Sequence, residues 1–210
     1  MINYIKNNKT YFVYTVFALG LGAFLYYITK EFNSSYHLIG SKYDLLIPFI
    51  PLFIYPYNLW YPFEAYTLFL VYKNNLKIFY QTIISIILSF ISSTIIFIVY
   101  PTTIIRPTVD SYNSLTSFVT YLTFKADTPV NCFPSNHCIL CFIMIFSVLS
   151  LKNFNRKYKL LIVFGNFIII LSTLFTKQHV MYDILGSLII AVISFYILSK
   201  LVLKKLDKLI

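Results

Sequence analysis

Charge is scarce in this chain. Asp, Glu, Lys and Arg make up 11% of its 210 residues, against roughly 25% in a soluble domain, which excludes an ordinary water-soluble globule. Acid is scarcer than base: 7 Asp and Glu face 17 Lys and Arg, for a formal net charge of +10. In a soluble protein that balance would raise nucleic acid as a partner. In an apolar one it sets topology and meets anionic headgroups, so membrane lipids and not nucleic acid are the expected partners. Cysteine is limited to Cys132, Cys138 and Cys141, an odd number that offers no disulfide framework. Cys138 and Cys141 fall within an apolar helix and read as small buried hydrophobes, not zinc ligands. No repeat, low-complexity linker or small-x-small cleavage signal divides the chain. Residues 1–210 therefore read as a single integral-membrane domain.

Apolar residues abound instead: 59% of the chain is hydrophobic and the mean hydropathy is +0.76. Runs long enough to cross a bilayer recur along it, and the expected fold is an all-α membrane protein, a six-span helical bundle. The first span runs from about Tyr11 to Thr29, before a polar loop from Lys30 to Tyr43 that holds Glu31, His37 and Lys42. Pro48, Pro51, Pro56 and Pro62 are too closely spaced for one straight helix. They predict a re-entrant or interfacial segment over 45–55 before a second span from about Pro56 to Tyr72. The third span covers about Ile78 to Tyr100. In the long third-to-fourth loop, Leu115, Phe118, Val119 and Leu122 have helical spacing and predict a surface helix within Asp110 to Lys125. The remaining spans run from Pro134 to Leu151, Leu160 to Thr176 and His179 to about Lys200.

An even span count puts both termini on one side. Twelve of the seventeen cations (Lys6, Lys9, Lys73, Lys77, Lys152, Arg156, Lys157, Lys159, Lys200, Lys204, Lys205 and Lys208) fall at one set of span ends. Lys30, Lys42, Arg106, Lys125 and Lys177 fall at the other. The positive-inside rule places the richer side and both termini in the cytoplasm. Arg106, His137, Lys177 and His179 are then expected together at the extracytoplasmic face. The abundance of Ile, Lys, Asn and Tyr points to a low-GC bacterium, and so to a bacterial plasma membrane.

Those residues carry the chemistry. Asp183 lies four positions after His179, a spacing that lets it bond the imidazole if the segment is helical. An imidazole held on one ring nitrogen is suited to attack through the other. His137 has Cys141 at the same offset, not a carboxylate, and suits a general acid. Pro134-Ser135 opens the fourth span, where the free N–H groups and dipole of a helix start favour an anion. Arg106 offers a planar fork for phosphate and Lys177 a point charge.

In order and spacing these residues resemble the type 2 phosphatidic acid phosphatase superfamily, whose motifs read K-x6-R-P, P-S-G-H and S-R-x5-H-x3-D. The counterparts are Val99-x6-Arg106-Pro107, Pro134-Ser135-Asn136-His137 and Ser172-Thr173-x5-His179-x3-Asp183. The resemblance spans about residues 78–195, and Phe-Pro-Ser-x-His with Ser-Thr-Leu-Phe-Thr-Lys-Gln-His is more similar to the inositolphosphotransferase-like branch. It implies that His179 accepts the phosphoryl group, Asp183 orients it and His137 protonates the leaving group. It also implies that Arg106, Ser135 and Asn136 hold the phosphate, with no cofactor and no metal. Val99, Asn136 and Thr173 depart from the pattern. Two cations are thereby missing, and Lys177 is the candidate substitute for one. Without that substitution, transfer that forms a phosphodiester gains weight over attack on a dianionic monoester.

The expected function is a membrane-embedded lipid phosphatase acting on a lipid phosphate or pyrophosphate through a phosphohistidine. The alternatives are a phosphotransferase with an acceptor alcohol such as inositol, and a metal-binding or transport protein using the two histidines and Asp183. Simpler roles stand beside these: Ser135 as a helix cap, Lys177 snorkelling to the interface, Arg106 anchoring headgroups. Trp60 and Tyr61 read as an interface belt, Asp110 and Asp127 as solvated loop residues. Glu64, inside the second span, has an open role.

Overall fold

The computed structural model describes residues 8–32, 35–110 and 114–209; Lys6, among the cations counted above, lies outside them. Its first helix, α1 (Asn8–Phe32), is followed by a two-residue strand, β1 (His37–Leu38), and a 3-10 turn (Pro51–Phe53). Then come α2 (Ile54–Asn58), α3 (Trp60–Asn74), α4 (Leu76–Val99), β2 (Thr102–Thr103) and α5 (Leu115–Ala126). The chain ends in α6 (Asn136–Ser150), α7 (Arg156–Phe175), α8 (Met181–Val192), a π-helical turn (Ile193–Leu198) and α9 (Ser199–Leu209).

Four of the described helical segments are long and apolar enough to cross a membrane: Lys9–Phe32, Leu76–Val99, Arg156–Phe175 and Met181–Lys205. Large apolar side chains such as Phe17, Phe24, Ile95, Phe164 and Ile189 point outward from them, as lipid-facing surfaces do. The two other expected spans are shorter. Helices α3 and α6 have 15 residues each, about 22 Å at 1.5 Å per residue, against roughly 30 Å of hydrocarbon.

Helix α6 is the core. Every residue from Cys138 to Ile145 is buried, and α6 packs against α3, α4, α7 and α8. Small polar side chains join these helices where lipid leaves little hydrophobic drive between them. Thr82 of α4 bonds Ser147 of α6 at 2.7 Å, and Ser93 donates to Asn136 at 2.8 Å. Gln81 of α4 donates to the Phe195 carbonyl at 2.8 Å, satisfying backbone in the widened π turn.

The proline-rich region is bent, not broken. Residues 42–46 form turns, and Pro51 opens the 3-10 turn. Pro56 and Pro62 each stand third in α2 and α3, in a first turn where a missing N–H costs no helix bond. Leu59 stays right-handed between them. Helix α5 falls on the predicted 110–125 segment and runs one residue past it. Leu115, Phe118 and Leu122 are exposed while Thr120 is buried, because α5 is pinned through hydroxyls, Thr123 to Asn58 and Thr116 to Tyr55.

At one end the loops are stitched together. Strand β1 pairs in parallel with β2, and Thr103 bridges to Val130. The Phe133 N–H donates to Thr102 Oγ1 at 2.8 Å, and the Phe133 ring lies where a Cβ on Gly186 of α8 would come within 2.5 Å. Gly186→Val should therefore displace that ring and lower stability by about 1–3 kcal/mol. Thermal unfolding in detergent micelles checks this, with a fall in Tm expected.

Candidate functional site

Helix α8 begins just after the histidine, not before it. Val180 is its N-cap, and the Asp183 carboxylate turns back to accept the Val180 N–H at 3.0 Å. The same oxygen, Oδ2, lies 3.0 Å from His179 Nδ1. The predicted bond is present, but a capping interaction makes it, not a shared helix face, since His179 itself is outside the helix. Asp183 is fully buried and His179 9% exposed. With Nδ1 engaged, Nε2 is the nitrogen left for chemistry.

The turn before α8 presents His179. Lys177 has φ of 55°, a left-handed conformation uncommon outside glycine. The Gln178 and His179 N–H groups both donate to the Thr173 carbonyl, at 2.9 and 3.0 Å. Thr173 is itself buried, its hydroxyl given to the Ile170 carbonyl. From the other side, Asp44 accepts the Met181 N–H at 2.8 Å and the Ser41 N–H and hydroxyl at 2.7 Å. Two carboxylates thus sit at the N-terminus of α8, where the helix dipole favours them.

His137, second residue of α6, has its ring centroid 5.7 Å from that of His179. Its ring packs at a tilt against Trp60, with centroids 4.0 Å apart, and against Tyr57, at 4.6 Å. Trp60 is 5% exposed, so it is not a membrane-interface residue: it forms a wall of the site. Asp127 is not a solvated loop residue either. It accepts hydrogen bonds from Tyr57 and from Tyr26, the latter at 3.1 Å. Burial opposes its charge, but His137, the Tyr57 hydroxyl, Arg106 and His179 outweigh that and hold its carboxyl below the ordinary aspartate value. Tyr57, Trp60 and Asp127 were missed because their partners lie far away in sequence. The one local hint was an aromatic run bent by proline.

Arg106 donates through Nη1 to the Asp127 carbonyl and lies over the Phe124 ring at 5.1 Å. It lines two cavities that meet at His179. The first, about 680 Å³, contains His137, Asn136, Asp127 and Trp60. The second, about 710 Å³, is walled by the 38–47 loop, Ile104, Ile105 and Lys177. Ser135 is fully buried, and its hydroxyl caps α6 by accepting the Cys138 N–H at 3.3 Å. Asn136 accepts from Ser93. The Lys177 ammonium donates to the carbonyls of Asp44, at 2.8 Å, and Ile47, so it fastens the loop that walls the second cavity. Val99 is 76% exposed and lines neither cavity. Glu64 is buried beside Cys141, one helical turn along α6 from His137. Among the described residues, no group of three His, Cys, Asp or Glu is arranged to hold a metal ion.

Three separate chain segments thus deliver Arg106, His137 and the His179–Asp183 pair to one place. The model of the PAP2 superfamily matches residues 76–207. The chain belongs to that superfamily. No curated protein and no solved structure matches it. The matched segment includes Arg106, His137, His179 and Asp183, while the Tyr57 and Trp60 wall lies before it.

The sign of the Asp127 effect sets a pH test. A carboxyl whose folded pKa is depressed adds stability above its unfolded value of about 4, and that contribution is lost as pH falls through the folded value. Asp127→Asn should lower Tm by a constant margin at pH 6–8. The margin should shrink below about pH 4, as thermal unfolding of both proteins across pH 3–8 would show.

Proposed function

We propose that this PAP2-superfamily protein transfers the phosphoryl group of a lipid phosphate through a phosphohistidine at His179. The observation that carries this reading is the buried Asp183 carboxylate on His179 Nδ1, opposite a second histidine whose ring is 5.7 Å away. His179 Nε2 attacks phosphorus, forming an N–P bond as the ester P–O bond breaks. His137 protonates the departing oxygen, then takes a proton from the water or alcohol that cleaves the N–P bond. Arg106 and the free N–H groups at the start of α6 meet the charge on the phosphoryl oxygens. The Asn136 and Ser135 side chains shape that end of the site. The mechanism uses no metal or cofactor.

The chain is read as a six-span protein with α3 and α6 as the two short spans, both termini cytoplasmic and the site outward. The charge distribution over the span ends supports that orientation. Hydrolysis of a lipid phosphate is the first reading. Transfer to an alcohol acceptor is the second, favoured by the cation count. Val99 and Thr173 carry no charge, and Lys177 is engaged by two loop carbonyls. One guanidinium suits a phosphodiester, with its single charge, better than a phosphomonoester dianion.

His179→Ala should abolish turnover and the acid-labile radiolabel expected when the protein meets lipid phosphate labelled with radioactive phosphorus. Asp183→Asn should lower kcat by about 10²–10⁴-fold while the protein remains folded. Undiminished turnover in His179→Ala would sink the assignment. Free phosphate against labelled acceptor ester, measured with and without added alcohols, separates hydrolysis from transfer.

A further inference from the structure

The cavity shared by His137 and His179 holds polar atoms that the protein itself leaves unmatched. Gln178 is 1% exposed, yet neither its side-chain oxygen nor its nitrogen has a hydrogen-bond partner. Asn131, 3% exposed, has an unpaired Oδ1, and Arg106 an unpaired Nε. All three residues line that one cavity. Each buried unsatisfied group costs about 1–3 kcal/mol, and native proteins keep few of them. With Trp60 Nε1 and Thr128 Oγ1, also unpaired, six such atoms belong to residues lining a single cavity beside two histidines, and they mark a surface built for a ligand.

Their types say which ligand. Arg106 Nε and Gln178 Nε2 are donors and suit phosphoryl oxygens. Gln178 Oε1 and Asn131 Oδ1 are acceptors. The Asn131 orientation is set by its own network: Nδ2 donates to Thr29 Oγ1 at 3.1 Å, and that hydroxyl donates to the Leu25 carbonyl at 2.9 Å. An ionised phosphate ester brings no proton to such acceptors, and neither does an acyl chain. A hydroxyl does. An ammonium would too, but Arg106 and Lys30 line the cavity against Asp127 alone, and that carboxylate is already bonded by Tyr26 and Tyr57.

We infer that Gln178 and Asn131 form a hydroxyl-binding subsite, so that the alcohol portion of the substrate on the His137 side carries a free hydroxyl next to its ester oxygen. This rests on the reading of His179 and His137 above. The second cavity includes neither Gln178 nor Asn131, which assigns the subsite to the side where the leaving or accepting alcohol sits.

The test uses the full chain in detergent micelles and two probes: a 1-alkylglycerol 3-phosphate and its 2-deoxy analogue, which differ by one hydroxyl. The wild type should favour the hydroxylated ester by at least about tenfold in kcat/KM. Gln178→Met, close in volume but unable to accept from a hydroxyl in this way, should bring that ratio toward one. A wild-type ratio near one overturns the subsite without any variant having to fold. Equal losses on both probes in Gln178→Met overturn it as well. If His179→Ala still turns over both esters, the phosphohistidine reading fails and the subsite fails with it. If His179→Ala is inactive while the wild-type ratio is near one, only the subsite fails.

Discussion

One carboxylate oxygen organises the candidate site. Asp183 Oδ2 accepts both the Val180 N–H that starts α8 and the Nδ1 of His179. A helix start and an imidazole orientation are thus set by the same atom, buried where water cannot compete. Asp44 adds a second carboxylate to the same helix end and ties the 41–47 loop to it. Lys177 crosses back to that loop. The histidine is therefore held by a closed circuit of local bonds and does not depend on one contact.

The opposite half of the site is built from packing. His137 has no carboxylate of its own on α6; its ring packs against those of Trp60 and Tyr57. Tyr57 also donates to Asp127, whose carbonyl holds Arg106. Aromatic wall, acid and guanidinium thus form one connected unit. It crosses from the proline-bent region to the loop before α6, the two segments that helical periodicity describes least well. A buried polar network of this kind rigidifies a site when its members are satisfied.

Several features were readable along the chain. Hydropathy marks the long helices because the apolar run is itself the property that lets a helix cross lipid. The i, i+4 spacing of His179 and Asp183 held although His179 is not helical, because the carboxylate of the third helical residue turns back to the N-cap N–H, beside His179. Ser135 caps α6, one of the two roles its place before a helix allows. The apolar spacing over α5 predicted its helix and left its faces open. Periodicity reports an apolar stripe but not whether core or lipid receives it, and here the hydroxyl face turns inward. Trp60 and Asp127 were misread for the related reason that their partners are distant: His137 lies 77 residues from Trp60, and Tyr57 and Tyr26 lie 70 and 101 residues from Asp127.

The sequence by itself determined an apolar helical chain, the approximate positions of its long helices, and a histidine–aspartate pair at one of them. All of these depend on neighbours within a turn or a run of side chains. Only the tertiary structure decided which face of α5 is buried, that Lys177 serves a loop, and that Tyr57, Trp60, Asp127, Asn131 and Gln178 surround the histidines. Most of those contacts join segments far apart in the chain, and their energies exist only once helices are packed. A residue's type limits what it can bond, but packing selects the partner.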